Sequence, residues 1–253
     1  LPDVSDAAVL VKPNAGRKVA FGTGVTTNPA VVAAVCDALR EKGARLTIGE
    51  STIVGVTPPE CLDATGIADV AREREIPLAN LDTPKPDVRP ITDGRILSSL
   101  TVCGGLGAYD RIVSVPVMKT HMHCRVTLSL KNMKGCLRGR EKVRLHQLPR
   151  PDTPSPHKTL DMAIADLATV LAPDIAVIDG TIGHEGLGPS GGSPKRFDTV
   201  VASTAFLSAD AVAATLMGFD PADIPHLALA AADLHVDILQ HVKLHRFAEI
   251  FIY

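Results

Sequence analysis

The stretches AVLVKPN (residues 8–14) and TTNPAVVAAVCDALREKGARLTIGES (residues 26–51) decide the fold class of this chain. The apolar runs at 8–11 and 46–48 have the length of short buried strands. Between them, Asn28 and Pro29 are a favoured N-cap and first helical residue, apolar side chains then recur with helical spacing, and Gly43 ends the helix. A strand, a helix and a second strand in this order are typical of a parallel sheet covered by helices.

The same alternation continues along the rest of the chain. Further strands are predicted near Leu78 and at 96–102, 112–117, 175–178 and 199–202, and helices at 60–75, 157–171, 208–217 and 224–232. A proline-rich stretch at 84–90 is interpreted as a surface crossing. The pattern predicts an α/β fold with a three-layer, Rossmann-like open sheet, mostly parallel, with helices on both faces. We expect a single domain over residues 1–253, with a basic segment at 119–150 and a glycine-rich loop at 184–194.

Length and composition exclude several classes of protein. The chain has 253 residues, of which 45% are hydrophobic and 21% charged, and this is too apolar for a disordered chain. No uncharged apolar run approaches the roughly eighteen residues that a transmembrane helix needs. The net charge is −2, which does not favour a general nucleic-acid binder. Trp is absent and aromatic residues make up 3%, so few aromatic side chains are available to stack on nucleic-acid bases.

The cysteines indicate a reducing compartment. There are five, at positions 36, 61, 103, 124 and 136, and no two have C-x-x-C spacing. Neither a disulfide framework nor a cysteine-only zinc or iron–sulfur site is therefore predicted, and free thiols favour a cytoplasmic location. The chain begins with Leu1 rather than Met, which leaves a removed N-terminal export signal open as an alternative.

Polar residues follow four of the predicted strands. Ligands of open α/β sheets bind beyond the carboxyl ends of the strands, so these residues are candidates for one shared site. They are Lys12, Asn14, Glu50, Ser51, Lys119, His121 and Asp179. The alternative interpretation is that strand ends simply meet polar loops.

The basic segment at 119–150 indicates anion binding. It contains nine Lys or Arg residues and one acid, Glu141, a local net charge of +8 that leaves −10 for the rest of the chain. Such an imbalance concentrates anions near it. Because the run begins at a strand end and includes Lys131, Asn132 and Lys134, we favour a phosphate or carboxylate site over a solvated basic face.

A metal site is a further hypothesis. On an extended segment, His121 and His123 point the same way, and Asp179 or Glu185 from a neighbouring strand end or loop would complete a mixed nitrogen and oxygen site. The alternative is that His121 only forms hydrogen bonds while His123 faces solvent. His241 and His245 lack the Glu of the zinc-protease motif and are interpreted as surface or packing residues.

Other catalytic templates are absent from the sequence. There is no GxxxxGK[ST] phosphate loop, no GxGxxG after the first strand and no GxSxG nucleophile motif. The glycine-rich loop leads into Pro194 rather than into a helix. The reaction class therefore stays open at this level.

Six motifs in this order resemble the domain-of-unknown-function family DUF362. They are VLVKPN (9–14), TIGES (47–51), VPVMKTH (115–121), TLSLKNMKG (127–135), VIDGTIGHEGLGP (177–189) and DAVAATLMGFDP (210–221). The resemblance spans nearly the whole chain and implies an α/β domain, but no reaction.

The resemblance also marks two departures from the family pattern. Some relatives carry a ferredoxin-like segment with clustered cysteines, and these residues lack one. The family has an Asp followed by Pro where this chain has Ala205 and Phe206, whereas Asp210 matches and is a candidate ligand-binding residue. A site that uses the missing Asp in relatives would be altered here.

Three functions are compared on these grounds. The first is an enzyme acting on a small anionic substrate: Lys119, Lys131 and Lys134 would neutralise the anion, and His121 would be an acid/base or a metal ligand. Asp179 and Glu185 would be a base or metal ligands, and Gly186 and Gly188 would let backbone amides approach the ligand. The second is a non-catalytic cofactor or iron–sulfur accessory protein with a redox partner. The third, and least favoured, is a nucleic-acid binder that uses residues 119–150.

Overall fold

The computed structural model describes residues 3–151 and 154–237. Its strands are β1 (Ala8–Pro13), β2 (Arg45–Glu50), β3 (Leu78–Asn80), β4 (Asp87–Pro90), β5 (Ser99–Val102), β6 (Arg111–Val115), β7 (Val117–His121), β8 (Arg125–Thr127), β9 (Ile175–Glu185) and β10 (Ser193–Ser203). Its α-helices are α1 (Pro29–Glu41), α2 (Pro58–Thr65), α3 (Ile67–Glu73), α4 (Ser129–Asn132), α5 (Glu141–Arg144), α6 (Thr159–Leu171), α7 (Phe206–Leu216) and α8 (Pro225–Asp233).

Eight strands form one mostly parallel sheet. Their order is β3-β2-β1-β6-β9-β7-β8, with β10 paired to β9. All neighbours are parallel except the β7–β8 and β9–β10 pairs. The mostly parallel, Rossmann-like α/β sheet that the sequence predicts is confirmed. The carboxyl ends of β1, β2 and β7 consequently lie at the same edge of the sheet.

The core has two parts because strand side chains alternate between the two faces of the sheet. Val9 and Val11 belong to one apolar cluster, which includes buried residues of α1 and α3. Leu10, between them, belongs to the other cluster, which includes buried residues of α6, α7 and α8. Helices therefore cover both faces of the sheet, which gives the three layers of the predicted fold.

Two predicted elements differ from the structure because of single residues. The helix predicted at 60–75 is two helices, since Gly66 has φ +83° and cannot continue an α-helix. The strand predicted at 112–117 is interrupted at Pro116, which has no N–H for the sheet. Its carbonyl still accepts a hydrogen bond from the backbone of Asp179, at 2.8 Å, so β6 and β7 run along the same side of β9.

Two segments that the sequence predicts as loops are partly strands in the structure, because each pairs with a strand elsewhere in the chain. The presumed surface crossing at 84–90 contains β4, which pairs antiparallel with β5 in a separate two-stranded sheet. Strand β9 continues past Asp179 to Glu185 because β10 pairs along its whole length. The predicted glycine-rich loop is thus mainly the turn at 186–192 between two long strands.

None of the helices in the described ranges is long and apolar enough to cross a membrane. His241 and His245 lie outside the described residues.

Candidate functional site

A cavity of about 520 Å³ opens at the carboxyl ends of β1 and β2, beside β7. Its walls contain one carboxylate, that of Glu50, and six cationic side chains. The cations are those of Lys12, Arg17, Lys119, Lys131, Lys134 and Lys142. This excess of positive charge makes the cavity the candidate functional site.

Lys12 and Glu50 form a buried ion pair in one wall. Their parallel strands are neighbours, and Lys12 Nζ lies 2.8 Å from Glu50 Oε1 with each side chain 1% exposed. The backbone N–H groups of Ala15 and Ser51 donate to the two carboxylate oxygens, each at 2.9 Å. The charge of Lys12 is therefore compensated within the protein.

Asn132 and Asn14 connect this ion pair to Lys119. Asn132 Oδ1 accepts from Lys12 Nζ at 3.3 Å and from Asn14 Nδ2 at 3.1 Å. Asn14 Oδ1 accepts from Lys119 Nζ at 2.5 Å, and a backbone carbonyl accepts from the same ammonium group at 2.7 Å. These acceptors are neutral. Burial, followed by the positive charge of Lys131, lowers the pKa of Lys119 well below its usual value.

A short helical segment aims two lysines into the cavity. Residues 129–136 form α4 and the 3₁₀ turn that follows it. Leu130 and Met133 are fully buried in the core. Lys131 and Lys134 are each one position further along, so they share the next face of the segment and line the cavity.

Two polar groups of the cavity-lining residues have no partner among the described residues. The Lys131 ammonium group contacts no hydrogen-bond acceptor or carboxylate in the part of the chain that the structure describes. The Thr127 hydroxyl, in a side chain that is 4% exposed, has no hydrogen-bond partner among the same residues. Burial lowers the pKa of Lys131. A ligand in the cavity would give the Lys131 ammonium group an acceptor.

Lys134 and Lys142 also bond to neutral groups. Lys134 Nζ lies 2.8 Å from His146 Nε2, and burial, followed by the charge of Lys131, lowers the pKa of Lys134 to about 7. Partial burial and then the charge of Lys134 lower the pKa of His146. Lys142 Nζ donates to the carbonyl and the hydroxyl of Ser51, at 2.7 and 2.6 Å. Neither ammonium group has a carboxylate within 4.0 Å among the described residues.

His121 presents a hydrogen-bond donor to the cavity. Its Nδ1 accepts from the backbone N–H groups of His123 and Cys124, at 3.1 and 3.3 Å. Burial, followed by the charge of Lys131, lowers the pKa of His121 to about 2, so the ring is neutral. A neutral ring whose Nδ1 accepts carries its proton on Nε2. His121 is therefore arranged to donate to an anion rather than to bind a metal through Nε2.

The four predicted metal ligands do not converge. His121 lines the cavity, His123 is exposed, and Asp179 is engaged elsewhere. Glu185 lies near the surface, where its carboxylate is 3.8 Å from Lys195. Among the described residues, no group of three or more His, Cys, Asp or Glu side chains is placed to hold a metal ion.

Asp179 and Asp210 stabilise helix starts and do not line the cavity. Asp179 Oδ2 accepts from the backbone of Asn28, the N-cap of α1, at 2.7 Å, and its Oδ1 accepts from the backbone and hydroxyl of Thr181. Asp210 accepts from the first two backbone N–H groups of α4, at 2.7 and 2.9 Å. It thereby positions the helix that carries Lys131. Burial raises the pKa of Asp210 to about 7.

The predicted glycines shape a turn instead of cradling a ligand. A Cβ on Gly188 would lie 1.9 Å from the carbonyl oxygen of Thr120, so the turn packs directly on β7. Gly186, with φ +83°, begins the same turn. Only Pro189 of this turn lines the cavity.

Nine of the residues proposed from the sequence line the cavity together. They are Lys12, Asn14, Glu50, Ser51, Lys119, His121, Lys131, Asn132 and Lys134. Their roles stay predictions. The site also contains Arg17, Thr127, Lys142 and His146, which sequence reasoning did not single out. The only available signal was that three of these, Thr127, Lys142 and His146, belong to the basic segment, the last two with i, i+4 spacing.

Comparisons with known proteins give one matching family and a relative of similar sequence. The model of a family described as "Domain of unknown function (DUF362)" matches residues 9–215. The thylakoid-associated protein sll1697 of Synechocystis sp. is 30% identical over 224 residues, which cover 87% of this chain and 66% of that relative. The chain thus spans slightly less than two thirds of the relative's length. The matched family region includes the cavity residues described above.

Proposed function

The chain belongs to the domain-of-unknown-function family DUF362, and we propose that it is an enzyme that binds a small anionic substrate in the lysine-lined cavity. The substrate carries phosphate or carboxylate groups. This proposal rests on the residues of this chain, since neither the family description nor the name of the relative specifies a reaction.

The observation that carries the proposal is the unbalanced charge of the cavity. Six lysine and arginine side chains face one carboxylate, and that carboxylate is paired with Lys12. The ammonium groups of Lys119, Lys134 and Lys142 bond to neutral acceptors, and that of Lys131 has no partner among the described residues. Keeping several charged ammonium groups out of water is costly unless opposite charge is supplied. A bound anion would supply it.

The cavity geometry favours a small molecule over a nucleic acid. Four of the nine cations in the segment 119–150 line the cavity instead of forming an outward basic face: Lys119, Lys131, Lys134 and Lys142. A volume of about 520 Å³ is in the range of small-molecule sites. Both features support a compact anion with more than one negative charge.

The alternative of an iron–sulfur accessory protein gains no support from the cysteines. All five are buried free thiols, and burial raises the pKa of Cys36 and Cys136 to about 12. The part of the chain that the structure describes also holds no group of three or more His, Cys, Asp or Glu side chains placed to bind a metal ion. We therefore retain the anion-binding enzyme as the proposed function.

Thermal unfolding in phosphate and in chloride of equal ionic strength tests the proposal. Phosphate should raise Tm because it binds the folded protein. Chloride should change Tm only as far as it screens charges. The phosphate effect should shrink in Lys131→Ala and persist in Lys85→Ala, a matched change at an exposed lysine outside the cavity. Equal shifts in the two salts, or the same phosphate shift in both variants, would contradict an anion site in this cavity.

A further inference from the structure

Lys134 and His146 form a hydrogen-bonded pair at the mouth of the cavity. Lys134 is 8% exposed, whereas the ring of His146 is exposed to solvent. The two nitrogens are 2.8 Å apart. The other ionisable groups that act on Lys134 are Lys131 on α4, Lys142 on α5 and the thiol of Cys124. Among the described residues, no carboxylate lies within ion-pair distance of Lys134.

These surroundings favour the neutral amine of Lys134. Burial, followed by the charge of Lys131, brings the pKa of Lys134 to about 7, so a large fraction is deprotonated at neutral pH. A lysine that is desolvated and placed beside another cation is an activated nucleophile. The Nε2 atom of His146 lies 2.8 Å from Lys134 Nζ, a distance that allows it to relay to solvent the proton that the ammonium group loses.

We propose that Lys134 is a nucleophile that forms an imine with the carbonyl carbon of an anionic aldehyde, ketone or 2-oxo acid. The inference rests on the proposed function, because the cations that bind the anionic group would hold the carbonyl beside Lys134. It identifies the substrate class as an anion that also carries a carbonyl group.

The step balances without an oxidant or reductant. The amine lone pair forms the N–C bond while the carbonyl π electrons move to oxygen, and proton transfer gives a carbinolamine. The C–O bond then breaks as C=N forms, and the hydroxyl leaves as water with a proton that His146 is placed to deliver. The protonated imine accepts electrons from an adjacent C–H or C–C bond, and hydrolysis later regenerates the lysine.

The other lysines of the cavity are less suited to this step. Lys12 Nζ is occupied by the Glu50 carboxylate at 2.8 Å. Lys119 and Lys142 each donate to two or more fixed oxygen acceptors, which hold their nitrogens in place and occupy the donor hydrogens. Lys131 has no hydrogen-bonded base among the described residues. Lys134 alone among these five combines burial with a histidine at hydrogen-bond distance.

Reductive trapping with a small anionic aldehyde tests the proposal without knowledge of the substrate. The folded full chain is incubated near pH 7 with limiting pyridoxal 5′-phosphate, reduced with borohydride and mapped by peptide mass spectrometry. We expect Lys134 to be labelled at least about tenfold faster than exposed lysines, whose amines are almost fully protonated. Pyridoxal, which lacks the phosphate, should label it more slowly, and inorganic phosphate should compete with the phosphorylated aldehyde.

Three variants make the outcome decisive. Lys134→Arg keeps the charge and should lose the rapid label, whereas Lys85→Arg should retain it. His146→Gln should slow labelling near pH 7 more than at alkaline pH, where hydroxide replaces the histidine as base. Labelling spread over lysines according to exposure would overturn the inference. If phosphate still raises Tm in that case, the anion site stands and only the imine chemistry fails.

Discussion

The ammonium group of Lys12 and the carboxylate of Glu50 lie 2.8 Å apart at the ends of two adjacent parallel strands, and both side chains are buried. Each charge depends on the other because water is excluded from both. Because the carboxylate of Glu50 already balances its charge, Lys12 is not one of the cavity lysines that need a negative charge from a ligand.

Glu50→Gln should therefore strongly destabilise the protein. It leaves Lys12 buried without an opposite charge, and we expect the free energy of unfolding to fall by about 3–5 kcal/mol. Chemical denaturation measures this change. Asp198→Asn, which breaks an exposed ion pair with Arg196, should cost under about 1 kcal/mol. Equal losses in the two variants would show that the buried pair has no special role.

Gly135→Ala should disturb the same pair by steric overlap. A Cβ at this position would lie 2.4 Å from the Nζ of Lys12 and 2.8 Å from a carboxylate oxygen of Glu50. Overpacking of this kind costs about 1–3 kcal/mol, which thermal or chemical denaturation detects. Gly107→Ala is the control, because nothing lies within 4 Å of its added methyl group. A loss of stability in Gly107→Ala but not in Gly135→Ala would contradict the described packing.

His121 should make the protein sensitive to acid. Its pKa is about 2 in the folded protein, mainly because of burial, and about 6.5 in the unfolded chain. Between these values the unfolded chain binds a proton that the folded protein does not. Stability should therefore fall as the pH drops below about 6.5, with a slope of at most about 1.4 kcal/mol per pH unit.

The His121→Gln variant should show a shallower fall in stability between about pH 6.5 and pH 4, as followed by urea denaturation at each pH. His157→Gln, at a histidine outside the cavity, should keep the slope of the parent protein. An unchanged slope in His121→Gln would mean that the ring is not held neutral in the folded state.

Asp179→Ala should reduce stability without removing the anion site. The carboxylate accepts hydrogen bonds at the start of α1 and from Thr181, so its loss leaves donors unpaired at a cost of about 1–3 kcal/mol. The rise in Tm produced by phosphate should remain. If phosphate binding disappears while the fold keeps its stability, Asp179 acts on the ligand, as the sequence hypothesis proposed.

The sequence by itself determined the fold class and most of the cavity lining. Asn28, Pro29 and Gly43 predict the first helix through local backbone preferences, and apolar runs predict the strands on each side of it. Because parallel strands place their carboxyl ends at one edge, Lys12 and Glu50 could be assigned to one site from sequence order alone.

Only the tertiary structure decided which polar residues face that site. Asp179 follows an apolar run but lies inside β9, because pairing with β10 extends the strand to Glu185. His146 lies in the turn after α5, which contributes nothing to the sheet, and meets Lys134 only through packing. Such contacts depend on side-chain directions and on strand partners distant in the chain. Local periodicity carries no information on either, so the donor role of His121 and the pairing of Lys134 emerge only in the folded protein.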